Sequence, residues 1–197
     1  MAEMIKMVVV LTVLSLLSGG VLASLRDSTR EKIEIQELEM VKAPAVRQVL
    51  EGASNDPVED RVKIDDQGTE KTIFVGAFDG QANTVAFETE GNGFADKLGL
   101  IVAFNTTDDK LVGIGVTTLR DTPGLGGNAK ADPKFAAQFR GLPIDKPIKV
   151  TQDGGGINAL SGATITSRGV CAATNKAIEE YKRLKPQLTE LLKKVGK

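Results

Sequence analysis

The sequence has no histidine, one cysteine and one tyrosine in 197 residues. Without histidine, the usual general base near neutral pH and the commonest metal ligand are both missing, which excludes hydrolase triads built on that side chain. Cys171 has no second cysteine for an internal disulfide, and four soft ligands for zinc or an iron–sulfur cluster cannot come from this chain. No metal site is expected. An excess of positive charge is missing too: Lys and Arg total 25 against 26 for Asp and Glu. Nucleic acid is therefore not an expected partner. Redox chemistry in such a chain needs a cofactor held without Cys or His. A flavin, gripped by its phosphate, by backbone groups and by apolar packing, meets that condition.

What the sequence does have begins with an apolar run. After a short tail of residues 1–6, Met7 to Leu25 is uncharged, and as a helix it covers roughly 28 Å, close to the hydrocarbon thickness of a bilayer. Two readings fit: an uncleaved single-pass anchor over 7–25, or a cleaved signal peptide ending at Val21-Leu22-Ala23. Both place the globular part at or beyond a membrane. The flanking charges, Lys6 on one side and Arg26, Arg30 and Lys32 on the other, run against an outward-facing domain. Large translocated domains override that bias.

Residues 26–68 read as a helical linker interrupted by Pro44, followed by an acidic surface loop from Asn55 to Gly68. Runs rich in Val, Ile, Phe and Thr then follow at 72–78, 84–89, 98–105 and 111–119, separated by turn-forming residues, which predicts an antiparallel meander. A short helix is expected over 134–140 and a further strand over 147–152. Val170, Thr174, Ala177, Ile178, Tyr181 and Leu184 repeat at helical spacing after Thr166-Ser167; Pro186 stops or restarts that helix, and Gln187 to Val195 continues it amphipathically. The fold class is α+β, an antiparallel sheet flanked by helices, preceded by one N-terminal transmembrane helix. The domain proper is expected at 69–197.

Two loops carry candidate chemistry. Asn158 to Ser167 reads NALSGATITS. Small residues at Ser161, Gly162 and Ala163 let a bulky group approach the backbone, and hydroxyls at Thr164, Thr166 and Ser167 stand at a helix start, where free N–H groups and the dipole favour a phosphate. An ordinary turn capped by Thr166 or Ser167 fits equally. Arg120 to Gly127 reads RDTPGLGG and presents Leu125 on a platform of proline and glycine, where a flat ring could rest; a tight strand-exit loop is the plain alternative. Cys171 reads as helix packing rather than as a redox sensor.

SGATITS at 161–167, with TPGLG at 122–126 upstream, resembles the FMN-binding domain shared by the G subunit of Rnf complexes and the C subunit of sodium-translocating NADH:quinone reductases. The resemblance covers most of the chain, and its length is nearer that of the Rnf protein. It implies FMN bound covalently through a phosphoester to Thr164, installed by a flavin transferase. It also implies cofactor contacts from Ser161, Gly162, Ala163, Ile165 and Thr166, and from Thr122, Gly124 and Leu125. The implied setting is the cytoplasmic membrane, with a single-pass anchor, the globular domain on the extracytoplasmic side and other membrane subunits as partners. The implied role is to relay electrons in a complex that couples ferredoxin and NAD chemistry to ion translocation. No residue is expected to be catalytic, so a stand-alone enzyme is not the expectation. Two departures stand out: Asn158 replaces the family's usual Asp, and Leu119-Arg120-Asp121 replaces His-Lys-Glu. The first keeps open a flavin-free, membrane-tethered accessory domain.

Overall fold

The computed structural model describes residues 1–195, and the side chains of residues 194 and 195 lie outside that description, as does the expected apolar role of Val195. The chain divides into two units, Met1–Met40 and Val41–Lys197.

The first unit is helix α1, Ala2–Glu37. None of its residues is buried, and Val8, Leu11, Leu14, Leu17 and Leu22 stand exposed. Its most apolar window has a mean hydropathy of 2.3, so it is long and apolar enough to cross a membrane. The helix runs beyond Leu25 into the charged stretch, where an Arg30–Glu34 pair at 3.0 Å, four residues apart, supports it.

A π-helical turn, Leu38–Lys42, falls at the boundary, and the first helix of the second unit is α2, Ala43–Val49, with Pro44 in its first turn, where a missing N–H costs nothing. Five strands follow: β1 (Val62–Asp66), β2 (Thr69–Phe78), β3 (Gln81–Asn92), β4 (Lys97–Asn105) and β5 (Lys110–Val116). They pair antiparallel in sequence order. The short helices α3 (Asn128–Ala131) and α4 (Pro133–Ala137), a 3-10 turn (Thr151–Asp153) and the long α5 (Thr164–Val195) complete the unit.

Alternation along the strands buries both faces. Ile73, Val75, Val85, Phe87, Leu100, Val102 and Phe104 join Val170, Ala173, Ala177, Tyr181, Leu184 and Leu188 of α5 in the main core. Phe74, Ala86, Ile101 and Ala103 point the other way and are equally buried, as are Val46, Val49 and Leu50 at α2, which packs on β4 and β5. A sheet covered on both faces has no apolar face left for solvent. Within the main core the Phe104 and Tyr181 rings stack at 4.4 Å, and the tyrosine hydroxyl donates to Asp109 Oδ1 at 2.7 Å. Burial and that carboxylate push the phenol's pKa up.

The structure differs from the expectations in four places. The acidic segment expected to be loop contains β1: Asp66 pairs with Thr69 across Gln67-Gly68, both at positive φ (56° and 84°), the conformation that closes a two-residue hairpin. Residues 147–152 form no strand. Asn175 of α5 takes the place of a neighbouring strand, accepting from Ile148 N and donating to Ile148 O, both at 2.8 Å, while Val150 makes one isolated bridge to Ile157. Pro186 does not interrupt α5. The carbonyl it leaves unpaired belongs to exposed Lys182, and buried Leu184 and Leu188 carry the packing across. Finally, α5 starts at Thr164, ahead of Thr166-Ser167, so neither of those two is the helix cap.

One core hydroxyl, Thr89 Oγ1, is buried without a hydrogen-bond partner. Thr89→Val removes that desolvation cost without changing the shape. It should leave stability unchanged or raise it by up to about 1 kcal/mol, read from the urea midpoint of the detergent-solubilised chain. A loss of that size instead would show that the hydroxyl is satisfied.

Candidate cofactor site

The start of α5 separates four hydroxyls by the work they do. Ser167 Oγ, fully buried, donates to Ala163 O and accepts from Leu160 N, both at 3.0 Å, so it pins the turn that precedes the helix. Thr166 Oγ1, also buried, donates to Asp121 Oδ2 at 2.5 Å. Ser161 and Thr164 have no hydrogen-bond partner among the described residues; Ser161 is exposed in the turn, and Thr164 is the partly exposed first residue of the helix. The N–H groups of a helix's first turn have no intrahelical acceptor, so Thr164 presents its hydroxyl beside donors suited to an anion.

Asp121 ties three segments together. Its carboxylate accepts from Thr166, from Ala95 N at 2.9 Å and from Phe94 N at 3.1 Å, joining loop 120–127 to α5 and to the β3–β4 turn. Burial raises its pKa, but the hydrogen bonds from Ala95, Thr166 and Phe94 outweigh that and hold it below the ordinary 3.8. Packing is as close as the bonding. A Cβ on Gly126 would lie 2.7 Å from Asp121 and from Thr166 Oγ1, and one on Gly162 would lie 3.0 Å from Leu125 Cδ2. Gly162 also sits at φ +71°, which other residues adopt only under strain. The two candidate loops therefore meet, through Asp121–Thr166 and through Leu125–Gly162.

The remaining expected contacts fall around this junction. Ala163, which precedes Thr164, is buried. Thr122 is exposed, and its carbonyl accepts from Leu125 N and Gly127 N. Gly124 O accepts from Asn128 Nδ2 at 3.0 Å, which closes the loop. Leu125 and Ile165 are 45% and 52% exposed. Among the described residues of this unit, the exposed large apolar side chains are these two and Phe94, at 68%. All three stand on segments that Asp121 ties together.

Sequence reasoning missed Phe94 and the tying role of Asp121. An aromatic inside the turn-like run Gly91-Asn92-Gly93-Phe94-Ala95-Asp96 was the available signal. It also missed Gln138, which donates to Asn158 O and accepts from Asn158 N at 2.7 Å and so fixes the backbone ahead of the Thr164 loop. Asn158 itself is exposed. Cys171 is buried in the core, and desolvation followed by the Asp153 charge pushes its thiol up to about 12, as packing requires and a reactive thiol does not.

Residues 93–179, which take in β4, β5, both loops and the first half of α5, match the family model described as an FMN-binding domain. Two solved structures share the fold. One is NqrC of Shewanella oneidensis, TM-score 0.54 at 22% identity over 71% of this chain and 72% of that one. The other is the C subunit of the Na(+)-translocating NADH-quinone reductase of Parabacteroides distasonis, TM-score 0.51 at 24% identity over 59% and 63%. Full-length relatives are more specific. The chain is 31% identical to the G subunit of the ion-translocating oxidoreductase complex of Cereibacter sphaeroides, over 88% of this chain and 82% of that protein. It is 31% identical to that of Vibrio cholerae, over 91% and 90%, and 27% identical to that of Methanosarcina acetivorans, over 90% and 94%. The chain belongs to the family of G subunits of ion-translocating oxidoreductase complexes.

Proposed function

We propose that this chain is a membrane-anchored electron carrier of an ion-translocating oxidoreductase complex of the Rnf type, with FMN joined by a phosphoester to Thr164. The observation that carries the reading is the Thr164 hydroxyl: partly exposed, first in α5 and without a hydrogen-bond partner among the described residues, just after the Gly162 that packs against Leu125. The residues present fit the group. The helix start suits its phosphate, and Phe94, Leu125 and Ile165 suit an apolar ring.

Bound FMN supplies one- and two-electron redox chemistry. The chain's own residues do the rest. Asp121 holds loop 120–127 against α5, Gly162 leaves room for Leu125, and Gln138 fixes the approach to the loop. No side chain of the site need act as a general acid or base; its work is to set the position of the carrier relative to neighbouring redox centres. A flavin transferase is the maturation partner, other membrane subunits are the electron partners, and the globular unit works on the extracytoplasmic side.

The test is co-expression with a flavin transferase, followed by in-gel fluorescence under denaturing conditions and intact mass. Wild type should carry one FMN, and Thr164→Val should carry none. Unmodified wild type from an active transferase would instead support a flavin-free accessory domain, the reading that Asn158, in place of the family's usual Asp, favours.

A further inference from the structure

Arg168 stands four residues after Thr164 on α5, and the core makes no use of it. Its guanidinium is half exposed and forms a two-pronged pair with Asp153, Nε to Oδ2 and Nη2 to Oδ1, each at 2.7 Å. Asp153 belongs to the 3-10 turn Thr151–Asp153, which is held independently of this pair by Thr151 N donating to Ile157 O at 2.8 Å. Both partners are partly exposed, at 50% and 37%, so the guanidinium can exchange this carboxylate for another anion without uncovering a buried charge.

Its placement suggests another role. Residues four apart on a helix are neighbours, and helical side chains lean toward the N-terminus, so Arg168 overlies the turn that starts at Thr164. A phosphodiester on Thr164 adds a negative charge within that neighbourhood, and guanidinium recognises phosphate through the same planar fork it now offers a carboxylate. Lys130, whose Nζ donates to Thr117 O at 2.6 Å, and Arg120, which faces Asp96 at 3.5 Å, stand on other segments, whereas Arg168 shares the first turns of α5 with Thr164. Asp153 is also under the field of Lys149, which helps hold its pKa down, so it keeps a cation nearby if Arg168 turns away.

We propose that Arg168 is the positioning residue for the phosphodiester at Thr164, and that Asp153 holds its guanidinium in place until the cofactor is attached. The pair is then a two-position clamp: Arg168 on Asp153 before modification, on the phosphodiester after it. This rests on the attachment of FMN at Thr164.

The test uses the full-length chain, modified by co-expression with a flavin transferase and purified in detergent. Wild type, Arg168→Gln, Arg168→Lys and Asp153→Asn are compared by intact mass, by the 31P resonance of the attached group and by flavin fluorescence anisotropy. Arg168→Gln should shift the 31P resonance and lower the anisotropy, Arg168→Lys should restore part of both, and Asp153→Asn should leave both as in wild type. That asymmetry separates positioning from an ordinary salt bridge, in which loss of either partner acts alike. Equal 31P shifts and anisotropies in wild type and Arg168→Gln would overturn the inference while leaving FMN attachment intact. A folded Arg168→Gln chain that takes up no FMN would overturn it in favour of recognition by the transferase. Unmodified wild type would overturn the attachment itself, and the inference with it.

Discussion

Asp121→Ala should destabilise the globular unit by about 3 kcal/mol and release loop 120–127 from α5. The carboxylate is buried and accepts from Thr166 Oγ1, Ala95 N and Phe94 N. Removing it strands all three donors, each costing about 1–3 kcal/mol when left unpaired, although water will reach some of them. The effect depends on pH. Because the folded pKa lies below 3.8, the carboxylate's contribution is fully present above that value and is lost as pH falls through the lower folded value. The gap between wild type and Asp121→Ala in urea midpoint should therefore hold from pH 7 down to the ordinary carboxylate range and close under stronger acid. A gap of under about 0.5 kcal/mol at pH 7 would show that Asp121 does not tie the segments together. The same variant should lower the yield of covalent FMN, because Leu125 and Phe94 lose the support that places them.

Gly169→Ala should be comparably severe, also about 3 kcal/mol, through overpacking against backbone. Gly169 lies on α5 against β3, and a Cβ there would lie inside contact distance of Asn92 O. Directly opposite, a Cβ on Gly91 would lie 2.8 Å from Ala173 Cβ. Both partners are backbone or the first side-chain atom, so neither can rotate away, and the helix itself must lift off the sheet. Since Thr164 and Arg168 ride on that helix, the lift should reach the site as well. Circular dichroism during urea unfolding reads the first effect, and flavin yield in the co-expressed protein reads the second. An unchanged midpoint would mean that the helix–sheet contact is looser than the geometry requires.

Much of the meander was legible because alternation and turn residues act locally. The runs at 72–78, 84–89, 98–105 and 111–119 each fall mainly on one strand, although Thr117 to Leu119 lie past the end of β5. The strand at 62–66 was hidden because its residues alternate only weakly, half-buried with exposed, and its turn uses Gln67 at positive φ, where glycine or asparagine is the usual signal. The strand expected at 147–152 failed because a side chain, Asn175, satisfied the backbone from another element. The continuity of α5 through Pro186 was equally invisible, since a proline is tolerated there only because Lys182 faces solvent and the leucines on either side are buried.

By itself the sequence determined the apolar N-terminal span, the exclusion of histidine-based chemistry, four of the five strands and the helix after them, and the two loops on which a cofactor site would lie. These follow from composition, from periodicity and from short motifs, all of which act over a few residues. Only the tertiary structure decided which hydroxyls are taken up in holding the fold. Thr164, Thr166 and Ser167 look alike in the chain, but Asp121, forty-five residues before Thr166, takes one hydroxyl and Ala163 and Leu160 take another, while Thr164, like Ser161, has no partner among the described residues. That selection, like the exposure of Phe94 and the pairing of Arg168 with Asp153, depends on hydrogen bonds and burial between segments far apart in sequence, which no local pattern encodes.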